Sequence, residues 1–288
     1  MATRAVAPNV RALQAQVKRD RAARVKAHQK AVRALQKAKP AAMAAAAAPL
    51  NLFAEGDSWF DYPGFDVIRS IKAGAAVDPA ILNLAHRGDA ARDILGVTQR
   101  QRIIDTLTDT ANGSFDALLF SGGGDDIAGD QFCLWLADNP GNGNAISGLD
   151  RARFAEVLGI VEAAYLDLVK VRDDHAPRCT IFAHGYDFAV PTGVGVCNLG
   201  PWLKPSLDFR GWTNRAQATQ IVRDALLAFD ALLRRLEQSQ REFVYVRTQG
   251  TLDPARDWAN ELHPSEDGFQ KIADVFLAAL RARFPGRI

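Results

Sequence analysis

Between Leu50 and the C-terminus, five short apolar runs alternate with stretches of helical periodicity, and this alternation limits the fold more than any other feature. The runs are Leu50–Ala54, Ile81–Ala85, Ala117–Ser121, Thr180–Ala183 and Phe243–Arg247. Their unbroken hydrophobicity is that of strands covered on both faces. Helices are expected between them near 65–73, 90–111, 151–173 and 214–240, with a last one near 266–283. The 214–240 segment is the clearest, because Ile221, Val222, Ala225, Leu226, Phe229, Leu232, Leu233 and Leu236 keep a 3.6-residue period. Thr213 or Asn214 supplies its N-cap. Strands that alternate with helices build a parallel sheet with right-handed crossovers.

In open sheets of this kind, ligands bind beyond the carboxyl ends of the strands. The residues capable of chemistry should therefore follow the runs, and they do. Gly56-Asp57-Ser58 follows the first, His86-Arg87-Gly88-Asp89 the second and Gly122-Gly123-Gly124-Asp125-Asp126 the third. His184-Gly185-Tyr186-Asp187 follows the fourth, and Asn260-Glu261-Leu262-His263-Pro264 precedes the last helix. Each cluster alone has a structural reading, since Gly, Asp and Ser are common turn residues. The triple glycine lacks the Gly-Lys-Ser/Thr of a phosphate loop, and no dinucleotide fingerprint is present.

Taken together, these clusters resemble the SGNH, or GDSL-type, hydrolase family. Gly56-Asp57-Ser58 matches its first block and Asn83-Leu84-Ala85-His86-Arg87-Gly88 its second. Gly123-Gly124-Asp125-Asp126 aligns with the third, and Asn260-Glu261-Leu262-His263-Pro264 with the last. The resemblance spans residues 50–283. It implies a flavodoxin-like three-layer α/β/α sandwich with a five-stranded parallel sheet. It also implies a serine esterase or acyl hydrolase that forms an acyl-enzyme and needs no cofactor and no metal. Ser58 would be the nucleophile and His263 the base. The backbone N–H groups of Ser58 and Gly88, with a side chain from the third block, would form the oxyanion hole. Two other readings stay open: a carbohydrate O-deacetylase on the same site, and a non-catalytic binding protein on the same fold.

Two positions depart from the family pattern. The third block usually carries Asn where this chain has Asp125. An ionised carboxylate accepts hydrogen bonds and cannot donate one to an oxyanion. Either Asp125 is protonated in a dry pocket, or the remaining donors suffice for a slow enzyme, or the site has stopped catalysing. The last block usually carries Asp three residues before the histidine, where this chain has Asn260. Its amide oxygen can still orient an imidazole N–H, and Asp257 and Glu261 are neighbouring alternatives. The long segments 127–150 and 185–213 hold Trp135, Tyr186, Phe188, Trp202 and Trp212, which could line a substrate pocket with Trp59 and Phe60. Most are expected to be cover for the sheet; Tyr186, Trp202 and Trp59 are the preferred substrate contacts. Asp57, Asp126 and His184 are expected to be structural.

Residues 1–49 look like a separate basic, Ala-rich helical arm and linker, followed by the hydrolase domain over 50–288. The net charge of +2 hides eleven Lys/Arg against one acid, Asp20, in the first fifty residues, while the remainder is acidic by eight charges. Residues 9–39 are good helix formers, with a thin stripe of Val10, Leu13, Val17, Val25, Val32 and Leu35. Ala41–Ala48 reads as a linker. The arm either contacts nucleic acid or an anionic membrane surface, or is a solvated helix packed on the body or on a second copy. The second reading is favoured, because charge runs are usually solvated faces. Three cysteines (Cys133, Cys179, Cys197) without Cys-x-x-Cys spacing argue against a disulfide framework or a zinc site. Scattered histidines (His28, His86, His175, His184, His263) form no metal cluster in the sequence. No apolar run is long enough to span a bilayer, and the expected location is cytoplasmic. The expected partner is a small-molecule or lipid-like ester.

Overall fold

A computed structural model describes residues 6–38, 48–141, 148–196 and 199–288, with side chains in the first segment described from Ala12 to Gln36. Most of the 41–48 linker, the side chain of Val10, and Cys197 lie outside the described residues. The five apolar runs form β1 (Asn51–Gly56), β2 (Ala80–Asn83), β3 (Ala117–Ser121), β4 (Thr180–His184) and β5 (Phe243–Val246). All pair in parallel, in the order β2-β1-β3-β4-β5. Every residue of β3 and β4 is buried, as their unbroken hydrophobicity requires.

Helices cover both faces. On one, α2 (Val67–Gly74) packs against α9 (Glu266–Arg283). On the other lie α3 (Ala91–Ile94), α4 (Val97–Thr108), α6 (Arg151–His175) and α8 (Arg215–Ser239). Two short helices, α5 (Gly124–Ile127) and α7 (Lys204–Phe209), sit in the connections after β3 and β4. The single helix expected over 90–111 is broken at Gly96, which becomes the N-cap of α4. Asn214 does cap α8, accepting from the N–H groups of Ala216 (3.0 Å) and Gln217 (3.2 Å).

Helix α1 (Val6–Ala38) covers the exposed edge at β2. Its contacts are specific. Arg24 donates to Asp61 (2.7 Å) and to the carbonyls of Asn83 and Ala85 (both 3.3 Å). Arg21 donates to the Leu84 carbonyl and to Asp89 (both 3.2 Å). His28 Nε2 meets Asn51 Oδ1 at 2.8 Å, and Val32 is buried. The basic helix therefore lies against the acidic body, with two of its arginines on the segment that leads to Gly88. No described helix is long and apolar enough to cross a membrane.

Candidate functional site

The sheet register sets the site. Gly56, the last residue of β1, pairs with Ser121, the last residue of β3. Gly56 has φ +152°, and a Cβ there would lie 2.4 Å from the Ser121 carbonyl oxygen. Only glycine allows so close an approach of the two strand ends, and the chain then turns to present Ser58.

His263 arrives on a closed loop. Ala259 N–H donates to the His263 carbonyl (2.9 Å) and Ser265 N–H to the Asp257 carbonyl (2.8 Å), just before Ser265 caps α9. The loop brings His263 Nε2 to 2.8 Å from Ser58 Oγ. Nδ1 lies 2.9 Å from Asn260 Oδ1. The same oxygen accepts the backbone N–H groups of Leu262 (3.1 Å) and His263 (3.0 Å), which fixes the orientation of the amide. An amide oxygen can only accept, so Nδ1 carries the imidazole proton and Nε2 is free to accept from the serine. The amide nitrogen of Asn260 donates to Tyr62 Oη (3.2 Å), and the Tyr62 ring lies 4.4 Å from that of His263. Burial pushes the His263 imidazole down to about 4, which keeps the ring neutral. The two neighbouring carboxylates are engaged elsewhere. Asp257 pairs with Lys271 (2.6 Å). Glu261, fully buried, accepts the N–H groups of Gly193 (2.8 Å), Trp202 (2.7 Å), Leu203 (2.8 Å) and Lys204 (3.2 Å).

Asp57 and Asp125 sit in unlike surroundings. Asp57 is buried and accepts from Trp59 N–H (3.0 Å), Ser121 O–H (2.6 Å) and Tyr186 O–H. Three donors suit a carboxylate, although burial pushes its carboxyl up to about 6. Behind it, His184 is buried and pushed down to about 3 by that burial. Its Nδ1 accepts from Tyr186 N–H (3.3 Å), so Nε2–H donates to Ser121 Oγ (2.9 Å) and Ser121 passes its own proton towards Asp57. Asp125 has no such support: its Oδ2 is shut off from solvent and has no partner among the described residues. Burial, reinforced by the charges of Asp57, Asp126 and Asp89, holds its carboxyl well above the usual carboxylate range. Of two neighbouring carboxyls, the one with three donors holds a charge more readily than the one whose Oδ2 has none. A neutral Asp125 carries an O–H and can donate.

The other two members of the expected oxyanion site would contribute backbone N–H groups. Gly88 is exposed, with φ +83°. Among the described residues, neither its N–H nor that of Ser58 donates to another protein group. Asp126 ties the third block to the segment after Gly88, accepting from the N–H groups of Ala91 (2.6 Å) and Arg92 (3.3 Å).

Ser58, Trp59, Asp125 and Tyr186 share the lining of one cleft. Trp202 does not reach that lining; its ring stands edge-on to His263 at 5.4 Å. Trp135 and Trp212 donate to the carbonyls of Ile127 and Ala137 and serve as cover, while Phe188 lies beneath the Arg223 guanidinium. Sequence reading missed Tyr62, Ser121 and the apolar side chains that α8 gives to the cleft. The α8 stripe was visible as a helical face, but its period is the same whether it meets core or cavity. Among the described residues, no group of three or more His, Cys, Asp or Glu is arranged to hold a metal ion. Cys133 and Cys179 are free thiols.

Neither a protein-family model nor a curated protein matches the sequence. Solved structures do. A lipase from a goat rumen metagenome superposes with a TM-score of 0.53 at 15% identity, over 80% of this chain and 97% of that one. A Clostridium thermocellum family 3 carbohydrate esterase (TM-score 0.46, 15% identity) aligns over 82% of this chain and 99% of that one. An extracellular lipase from Streptomyces rimosus (TM-score 0.46, 18% identity) aligns over 80% and 98%. With its strand order and the path it shares with the rumen lipase, the chain has the SGNH hydrolase fold.

Proposed function

We propose that the protein is a carboxylic ester hydrolase that works through a covalent acyl-enzyme on Ser58. The observation that carries this reading is the 2.8 Å contact between Ser58 Oγ and a His263 Nε2 that is free to accept a proton. The fold it shares with the rumen lipase supports the same class of reaction.

His263 Nε2 takes the serine proton as Oγ attacks the ester carbonyl, because an un-ionised hydroxyl is a weak nucleophile. The carbonyl oxygen becomes an oxyanion, met by the N–H groups of Ser58 and Gly88 and by the O–H of neutral Asp125. Each such donor contributes roughly 3 kcal/mol to the barrier reduction. His263 then returns the proton to the leaving alcohol as the carbon–oxygen bond breaks. Water, deprotonated by the same nitrogen, attacks the acyl-enzyme and releases the acid and free Ser58. Asn260 holds the tautomer throughout and brings no negative charge, so the imidazolium formed in each step is stabilised less than an aspartate would stabilise it.

A fluorophosphonate probe tests the proposal. Labelling of the wild type that is lost in Ser58→Ala and strongly reduced in His263→Ala is the expected result. A folded wild-type protein that takes up no probe and turns over no ester would leave the non-catalytic binding reading in its place.

A further inference from the structure

The cleft beside Ser58 runs from Ser58 and Asp125 towards α8. Val222, Ala225, Leu226 and Phe229 form one wall of it. They follow each other at three- and four-residue steps, so they are one face of α8. Ile127, Phe132, Leu203 and Leu262 close the other sides. Away from Ser58 and Asp125, most polar groups along the cleft are already occupied. Asp187 accepts from the N–H groups of Phe188 (2.6 Å), Gly250 (2.7 Å) and Leu252 (2.6 Å), and Asp57 has its three donors. The indole N–H of Trp258 has no partner among the described residues, but it is shut off from solvent. A sugar ring would bring several hydroxyls into this space and find almost nothing to bond them, at the cost that unpaired buried polar groups carry. An alkyl chain needs no partners, and Ala225 on α8 leaves it room.

We propose that this cleft is an acyl channel and that the preferred substrates are esters of linear saturated acids longer than butyrate, an assignment that rests on the esterase reading above. With the carbonyl oxygen held at Gly88 and Asp125, the acyl chain continues from the Ser58 ester along the α8 wall, and the alcohol leaves on the His263 side. Trp202, edge-on to His263, then faces the leaving group rather than the chain.

A chain-length series tests this. For the wild type, kcat/KM with p-nitrophenyl acetate, butyrate, octanoate and laurate should climb about fourfold per added methylene while the chain remains inside. Ala225→Phe fills the passage and should lower the octanoate-to-acetate ratio about a hundredfold, the equivalent of three or four lost methylenes. Val222→Ala removes volume, should raise the laurate-to-octanoate ratio, and keeps the test running if Ala225→Phe fails to fold. Binding is measured apart from turnover, on Ser58→Ala protein, by tryptophan fluorescence from Trp59 and Trp258 with methyl octanoate and methyl acetate. Octanoate binding at least ~tenfold tighter supports the channel even where no ester turns over, and the missing turnover then counts against the esterase reading alone. A flat chain-length profile in an active enzyme, or equal affinity for the two esters, overturns the channel and leaves the esterase reading standing.

Discussion

Replacing Asp125 by Asn and by Ala isolates the step on which this site differs most from the SGNH pattern it resembles. In the neutral form, the Asp125 O–H would add a third donor to the proposed oxyanion hole, worth roughly 3 kcal/mol or about a hundredfold in rate. In the ionised form, the same group sets a negative charge against another. At ~4 Å and an effective dielectric constant of ~20, that repulsion is ~4 kcal/mol. Ionisation of one buried carboxyl therefore swings the barrier by about 7 kcal/mol, enough to switch turnover off. Its carboxyl stands well above the usual range, first through burial and then through Asp57, Asp126 and Asp89. The wild type should accordingly be active at neutral pH and lose kcat/KM on an alkaline limb as Asp125 gives up its proton. Asn cannot ionise and donates at every pH, so Asp125→Asn should match the wild type at neutral pH within about threefold and lack that limb. Asp125→Ala should be about a hundredfold slower at neutral pH and should lack the limb as well. The assay is pH-stat hydrolysis of one short ester by all three proteins, from acid to alkaline pH. A wild type whose profile superposes on that of Asp125→Asn through the alkaline range would refute the protonated-aspartate reasoning. So would an Asp125→Ala protein with wild-type turnover.

At the acid end, His263 is pushed down to about 4 by burial, so kcat/KM should persist below neutral pH and fall only as the pH drops through about 4. Asn260→Asp places a charge beside Nδ1, favours the imidazolium, and should move that limb to higher pH. An unchanged limb in the pH–rate profile would mean that Asn260 does not set the base. Arg24→Ala removes the partner of buried Asp61 and two carbonyl contacts on the segment leading to Gly88. It should cost about 1–3 kcal/mol in urea denaturation and lower kcat more than it changes KM. Glu261→Ala leaves four backbone N–H groups without their shared acceptor. It should cost at least ~3 kcal/mol, read as a large drop in Tm, with Glu261→Gln intermediate.

Much of the architecture was legible because β3 and β4 carry the unbroken apolar stretches 117–120 and 181–183, which a sheet covered on both faces hides. The positions of the chemical residues followed from the same fact, since a parallel sheet puts all of its strand ends on one side. Ser58, His263 and Asn260 could be placed from spacing and motif, and the three do meet within hydrogen-bonding distance. The arm was harder. Its charge suggested an independent object, whereas Arg21 and Arg24 reach over to carbonyls and carboxylates of the body. Acceptors of that kind are invisible in a sequence, because every residue has a carbonyl and only the fold leaves a given one unpaired at an edge.

The proton on Asp125 marks the limit more sharply. Sequence showed only that an acid stands where an amide donor belongs. Whether that acid accepts or donates depends on what surrounds it, and its surroundings come from four separate segments. Asp57 sits after β1, Asp89 after β2, and Ser121 and Tyr186 at the ends of β3 and β4. Ser121 and Tyr186 donate to Asp57 and fix the charge there. With that charge close by and no donor of its own, the cheaper state for Asp125 is neutral. A neutral carboxyl and a carboxamide then offer the oxyanion the same thing, one hydrogen on a polar atom. On this reasoning the aspartate is a substitute for asparagine whose function is conditional on pH, and removing Asp57 should matter more for Asp125 than for Ser58. In Asp57→Asn the repelling charge is gone, the Asp125 carboxyl should fall towards its ordinary range, and the alkaline limb should move to lower pH. In the Asp57→Asn, Asp125→Asn double variant there is nothing left to titrate, and the limb should vanish altogether.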